Sequence, residues 1–277
     1  MNPRAERLGL FLLFLAGTSL IFVFGNPYWS FLRTNQNSDY NALLAVFFLA
    51  TTLLAYRKER SRRYWHVSFA FFAAAFANWV LGLDLVRFPG DAADTVVGIT
   101  WDKLSQSIKV VVPLLLLVAL GGFGLDSVYL QRGKVKAWVA IGLGSLIAFS
   151  VLGLVVGASQ GKSWNAMLTT LPLWLIFSLL NATMEELWYR GLFLPRLAPF
   201  LGQGLSVLLI ALVFGASHVG ATYVTPGEIL QFVVPVFLVG FGAGWLIVKT
   251  DSLWGGVLFH AGADVFYALA FTFFPAG

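Results

Sequence analysis

The sequence predicts an all-α, polytopic transmembrane bundle of about eight to nine spans with its N-terminus in the cytoplasm. Three observations carry this. Hydrophobic residues make up 58% of the 277 positions and charged residues only 11%, against about 25% charged in an average globular chain. The apolar residues fall into runs of roughly 20, the length that crosses a bilayer as a helix. Lys and Arg gather in the links between alternate runs.

In chain order the predicted spans are 8–24, 40–56, 65–83, 107–124, 137–157, 166–190, 203–218, 229–248 and 253–274. The first follows Arg4 and Arg7 and resembles a signal peptide, but no small-x-small cleavage site precedes Asn26-Pro27, so it is expected to be retained. With the N-terminus inside, the inner loops collect Arg4, Arg7, Arg57, Lys58, Arg60, Arg62, Arg63, Arg132, Lys134, Lys136, Arg196 and Lys249. The outer loops hold Arg33, Arg87, Lys103, Lys109 and Lys162, together with an acidic stretch of Asp84, Asp91, Asp94 and Asp102. This excess on one side sets the orientation. Gly191 and Pro195 predict a bend in the long apolar region 166–201, and 219–227 reads as a short turn. Residues 1–160 form one group of unassigned helices and 161–277 a helical core with the chemistry.

The net charge of +5 is spread over short clusters between lipid-seeking runs, so no nucleic-acid partner is expected. The absence of cysteine removes disulfides, thiolate metal sites and cysteine catalysis. Tryptophan and phenylalanine are expected at interfacial belts and on lipid-facing surface. Asn78 is read as a helix–helix hydrogen bond, and Lys109 as snorkelling to the interface.

Residues 181–190 are the exception to this apolar plan. They place Glu185, Glu186 and Arg190 inside a span, at a cost of roughly 2.5–3.5 kcal/mol per charge on insertion scales. Glu186 and Arg190 are four apart and pair on a helix, whereas Glu185 points elsewhere. An unmatched intramembrane carboxylate is a functional candidate. Of the three histidines, His66 opens a span beside a basic loop, while His218 and His260 lie in or at the edge of apolar helices. Phe214 precedes His218 by four residues, and Asp264 follows His260 by four, within reach along one helix face. Counted from a turn near 201, Glu185 and His218 reach similar depths, about 24 Å in straight helix.

Two chemistries fit this set. Glu185 and His218 can hold and deprotonate a water that attacks a carbonyl, with His260 donating to the oxyanion and Asp264 orienting it. Alternatively the Glu, His, His and Asp set can bind a divalent metal. The two-histidine-plus-glutamate helix of zinc proteases is missing, so the metal-free site, with no cofactor, is preferred. A non-catalytic scaffold or immunity protein that keeps the cluster for packing is the alternative outside enzymes.

These motifs resemble the CAAX protease and bacteriocin-processing family, also called Abi proteins, whose members include the Rce1-type prenyl-protein protease. Its pattern is Glu-Glu-x-x-x-Arg, Phe-x-x-x-His and His-x-x-x-Asn or Asp. Here Glu185, Glu186 and Arg190, then Phe214 and His218, then His260 and Asp264 match it in order. The resemblance covers about 165–274. It implies an intramembrane glutamic-type endopeptidase in which Glu185 and His218 activate water, and His260 with Asp264 serves the oxyanion. Glu186 and Arg190 are then mainly structural. The implied partners are the bilayer and a peptide or lipidated-protein substrate, and the expected location is the plasma membrane.

Overall fold

A computed structural model describes residues 3–25, 37–86, 95–219 and 229–272. Asn26-Pro27, Arg33, Arg87, Asp91, Asp94 and the turn expected over 220–227 lie outside these. Every regular element among the described residues is helical. They are α1 (Pro3–Thr18), α2 (Asn37–Arg57), α3 (Trp65–Leu81), α4 (Val96–Leu120), α5 (Val135–Trp138), α6 (Gly144–Ser159), α7 (Trp164–Glu185), α8 (Leu192–Leu201), α9 (Gln203–Ser217), α10 (Ile229–Thr250) and α11 (Leu253–Phe271). Wider π-helical turns extend α1, join α5 to α6 and join α7 to α8. Eight of the resulting helices are long and apolar enough to cross a membrane. The chain is an integral, multi-pass, all-α membrane protein.

One boundary differs clearly from the sequence reading. The fourth span starts at Val96 rather than 107, because the Thr95 hydroxyl caps it by accepting from the Gly98 amide. Asp102 and Lys103 therefore lie within the helix. Gln106 makes that tolerable: its amide donates to Asp102 (2.6 Å), and its oxygen accepts from Lys103 (2.8 Å). The seventh span is only 15 residues, about 22 Å of helix, short of the ~30 Å hydrocarbon core. Gly202 turns the chain sharply into it with φ of 83°, a conformation that favours glycine.

No break occurs at Pro195. The ring of Pro195 deprives the Gly191 carbonyl of its helical donor, and Arg196 donates to that carbonyl (3.4 Å), to Leu192 (2.9 Å) and to Ser127 (3.2 Å). The helix continues, and the irregularity is the π turn at Glu186–Gly191.

Two helices form the interior. In their most apolar windows α3 is 67% buried and α11 61%, whereas the α5–α6 helix is 17% buried and faces lipid. α11 packs against α6, α7 and α10, and α3 against α2, α4 and α8. Close approach of α6 to α11 depends on small residues: a Cβ at Gly153 would meet the Phe266 Cα at 3.0 Å, and one at Gly157 the Leu269 carbonyl at 2.7 Å. Trp101, Trp164, Trp245 and Trp254 are exposed, as expected of a lipid-facing surface, but many phenylalanines are interior. Phe193 meets Phe14 and Phe71 edge-on, both at 5.3 Å, and Phe22 stacks on Tyr189 at 4.2 Å.

Contacts between links join groups that the sequence reading places on one side. Arg63 pairs with Glu6 at one end, and the Lys134 amide donates to Thr250 there (2.7 Å). Lys162 donates to Leu269 (2.8 Å) and Thr272 (2.6 Å) at the other. Lys109 reaches the Leu83 carbonyl at 3.3 Å. Asn78, buried in α3, donates to the carbonyls of Ile21 (3.0 Å) and Gly25 (2.9 Å) and to Asn41 Oδ1 (3.2 Å). It thus ties α3 to the end of α1 and to α2. Asn78→Ala is expected to lower stability by about 1–3 kcal/mol through orphaned acceptors, read as an earlier thermal transition in detergent.

Candidate active site

The site is built where α7, α9 and α11 converge. Five consecutive residues of the π turn, Glu186, Leu187, Trp188, Tyr189 and Arg190, are all buried. Each points to a different neighbour. Trp188 donates to the Ala74 carbonyl (3.2 Å), the Tyr189 hydroxyl donates to Ser217 (3.0 Å), and Arg190 donates to Glu186 (3.0 Å). A π turn often accompanies functional sites; here it fills space on every side and leaves Glu185 at its edge.

The two glutamates have opposite surroundings. Glu186 is fully buried, and its Oε1 accepts from both Arg190 Nη1 (3.0 Å) and His260 Nδ1 (2.8 Å). Arg190 also lies over the Phe214 ring at 4.2 Å, a cation–π contact in a dry setting. Gly240 makes room for it, because a Cβ there would strike both the Arg190 guanidinium and Phe214. Glu185 keeps 14% of its side chain exposed, and its Oε2 has no hydrogen-bond partner. Of the two carboxylates, Glu185 is the one that reaches open space and has an oxygen without a hydrogen bond.

His218 caps the C-terminal end of α9. Its Nδ1 lies 2.8 Å from the Phe214 carbonyl and 3.3 Å from the Ser217 hydroxyl. A carbonyl only accepts, so Nδ1 carries the hydrogen and Nε2 of the neutral ring offers a lone pair. That nitrogen faces Glu185 Oε1 at 3.9 Å, with 17% of the side chain exposed. His260 is 4% exposed, and its Nε2 lies 3.6 Å from Glu185 Oε2 and 3.5 Å from Asp264 Oδ1. The structure thus brings Glu185, His218 and His260 together, with one imidazole against each oxygen of the carboxylate.

Asp264 differs from the expectation. The bond that fixes the His260 ring runs from Nδ1 to Glu186, so Glu186 is more than a helix-pairing residue. Asp264 stands on the other nitrogen, and its second oxygen accepts from Asn181 Nδ2 at 2.9 Å. The spacing of four placed Asp264 beside the ring but did not say which nitrogen it meets. Asn181 went unread as a site residue, although it precedes Glu185 by one helical turn and so shares its face. Among the described residues no group of three or more His, Asp and Glu side chains is arranged to hold a metal ion.

Residues 167–266 match the family model described as type II CAAX prenyl endopeptidase Rce1-like. The C-terminal part of this chain is similar to that family over the matched residues. No curated protein and no solved structure matches the chain. The matched segment runs from the first turn of α7 into α11 and contains Glu185, Glu186, Arg190, Phe214, His218, His260 and Asp264. The helices before Met167 lie outside it. The match points to a protease.

Proposed function

We propose that this protein is a glutamic-type intramembrane endopeptidase that cleaves a peptide bond near the lipidated C-terminus of a membrane-associated substrate. The observation that carries the reading is the opposition of two acceptors, Glu185 Oε1 and His218 Nε2, at 3.9 Å. They are too far apart to bond each other and close enough to grip one water at about 2.8 Å each. Glu185 and His218 hold that water, and Glu185 takes its proton as the oxygen attacks the scissile carbonyl carbon. The C=O electrons move onto oxygen. With its Nδ1 hydrogen given to Glu186, His260 serves this oxyanion as the doubly protonated ring, whose Nε2 hydrogen points toward it, and removing such a donor costs about 10²–10³ in rate in other enzymes. The C–N bond then breaks, and the proton held by Glu185 passes to the leaving amine. The sum is one peptide and one water giving one acid and one amine.

Asp264, anchored by Asn181, borders the same space and limits where the substrate carbonyl can sit. Glu186 and Arg190 hold the His260 ring and touch no substrate. No step needs a metal. Purified protein is expected to cleave a prenylated C-terminal peptide at an undiminished rate after exhaustive treatment with a strong divalent chelator. Loss of activity that returns on adding zinc would replace this reading with metal-assisted hydrolysis.

A further inference from the structure

Outside the carboxylate–imidazole cluster, one cation lies on the α4–α7 seam. Lys103 stands in the second turn of α4, partly buried, with its ammonium donating to Gln106 Oε1 (2.8 Å) and lying 5.5 Å from the centre of the Phe177 ring. One turn further along α4, Ser107 donates to the Leu180 carbonyl (3.1 Å), which pins this face of α4 against α7. Along α7, Phe177, Asn181 and Glu185 follow at intervals of four and make one stripe. Lys103 therefore caps a stripe that leads through Asn181 to Glu185.

From Phe177 to Glu185 is eight residues of helix, a rise of about 12 Å. A C-terminal C-a-a-X substrate cut after its lipidated cysteine releases three residues that end in a free carboxylate. Three extended residues span about 10–11 Å. The Phe177 end of the stripe lies about that far along α7 from Glu185, so an ammonium beside the Phe177 ring has the charge and the place to receive the end of the leaving tripeptide. A neutral chain end would gain nothing from it.

We propose that Lys103 is a specificity residue that binds the C-terminal α-carboxylate of the substrate and so sets the cut three residues from the chain end. This rests on the hydrolytic reading above. It adds to that reading a measuring device that no motif of the Rce1-like segment contains, since Lys103 lies outside residues 167–266.

The test compares a farnesylated peptide ending in a free acid with the same peptide ending in a carboxamide. The native protein, Lys103→Met and Lys103→Arg are assayed, with thermal melts to verify folding. The native protein is expected to favour the acid by about 10- to 100-fold in kcat/KM, the range for a hydrogen bond to a charged group. Most of that preference lies in KM, Lys103→Arg keeps it, and Lys103→Met reduces it to near unity. Equal cleavage of acid and amide by the native protein, or an undiminished preference in Lys103→Met, overturns the inference and leaves the hydrolytic reading standing. If neither peptide is cleaved, the hydrolytic reading fails, and binding of both peptides to Glu185→Gln protein decides about Lys103. An acid preference that disappears in Glu185→Gln/Lys103→Met supports carboxylate recognition. Equal binding of the two, or no binding, ends it.

Discussion

Arg190→Met is expected to lower the stability of this protein by about 3–5 kcal/mol, because it leaves the buried Glu186 carboxylate without its cation. Both partners are sealed from the surroundings, at 1% and 0% side-chain exposure. Their bond is single, and Glu186 Oε2 and Arg190 Nε and Nη2 have no hydrogen-bond partners. Such an incomplete pair recovers little of its desolvation cost through hydrogen bonds. Its position over the Phe214 ring and the bond from His260 Nδ1 to Glu186 supply the rest. Removing both charges at once is milder, since a neutral pair leaves no isolated ion. Thermal unfolding in detergent is therefore expected to show Arg190→Met well below Glu186→Gln/Arg190→Met. The double variant still loses activity, because the charged acceptor that fixes His260 is gone. Equal stability of Arg190→Met and the native protein would show that the pair does not hold the fold.

Glu185→Gln gives the opposite pattern. Loss of a general base costs typically 10²–10⁴ in rate, and an amide cannot take the proton from water at all. The expected kcat on a prenylated peptide falls by at least that factor. Stability is expected to change by less than about 1 kcal/mol, since Glu185 keeps 14% exposure and Oε2 makes no hydrogen bond. Peptide release followed by mass spectrometry, beside a melting curve, separates the two effects. A variant that cleaves normally removes Glu185 from the chemistry. One that unfolds assigns it to packing, as a scaffold or immunity protein would require.

The plan of the bundle was legible because lipid demands long apolar runs and tolerates polar residues only with a reason. For the same cause Glu185, His218 and His260 stood out as candidates. What remained hidden depended on compensation between neighbours. The start of α4 read as loop because Asp102 and Lys103 are charged, yet Gln106 satisfies both within one turn. Pro195 signalled a helix boundary, yet helix runs on through it, with Arg196 donating to the freed carbonyl. The π turn leaves no mark in composition, since the same five residues would also fit an ordinary helical turn. The His260 ring was the hardest to read. Asp264 is near in sequence and Glu186 is 74 residues away, yet the distant carboxylate takes the Nδ1 bond because it is the buried one.

The most direct test of water activation by Glu185 and His218 together is a double-mutant cycle with Glu185→Gln and His218→Asn on one prenylated peptide. Groups that grip the same water act as a unit, so the double variant is expected to be no slower than the worse single variant. A double variant slower by the product of the two single losses would show that the residues act independently, and a shared water would be contradicted.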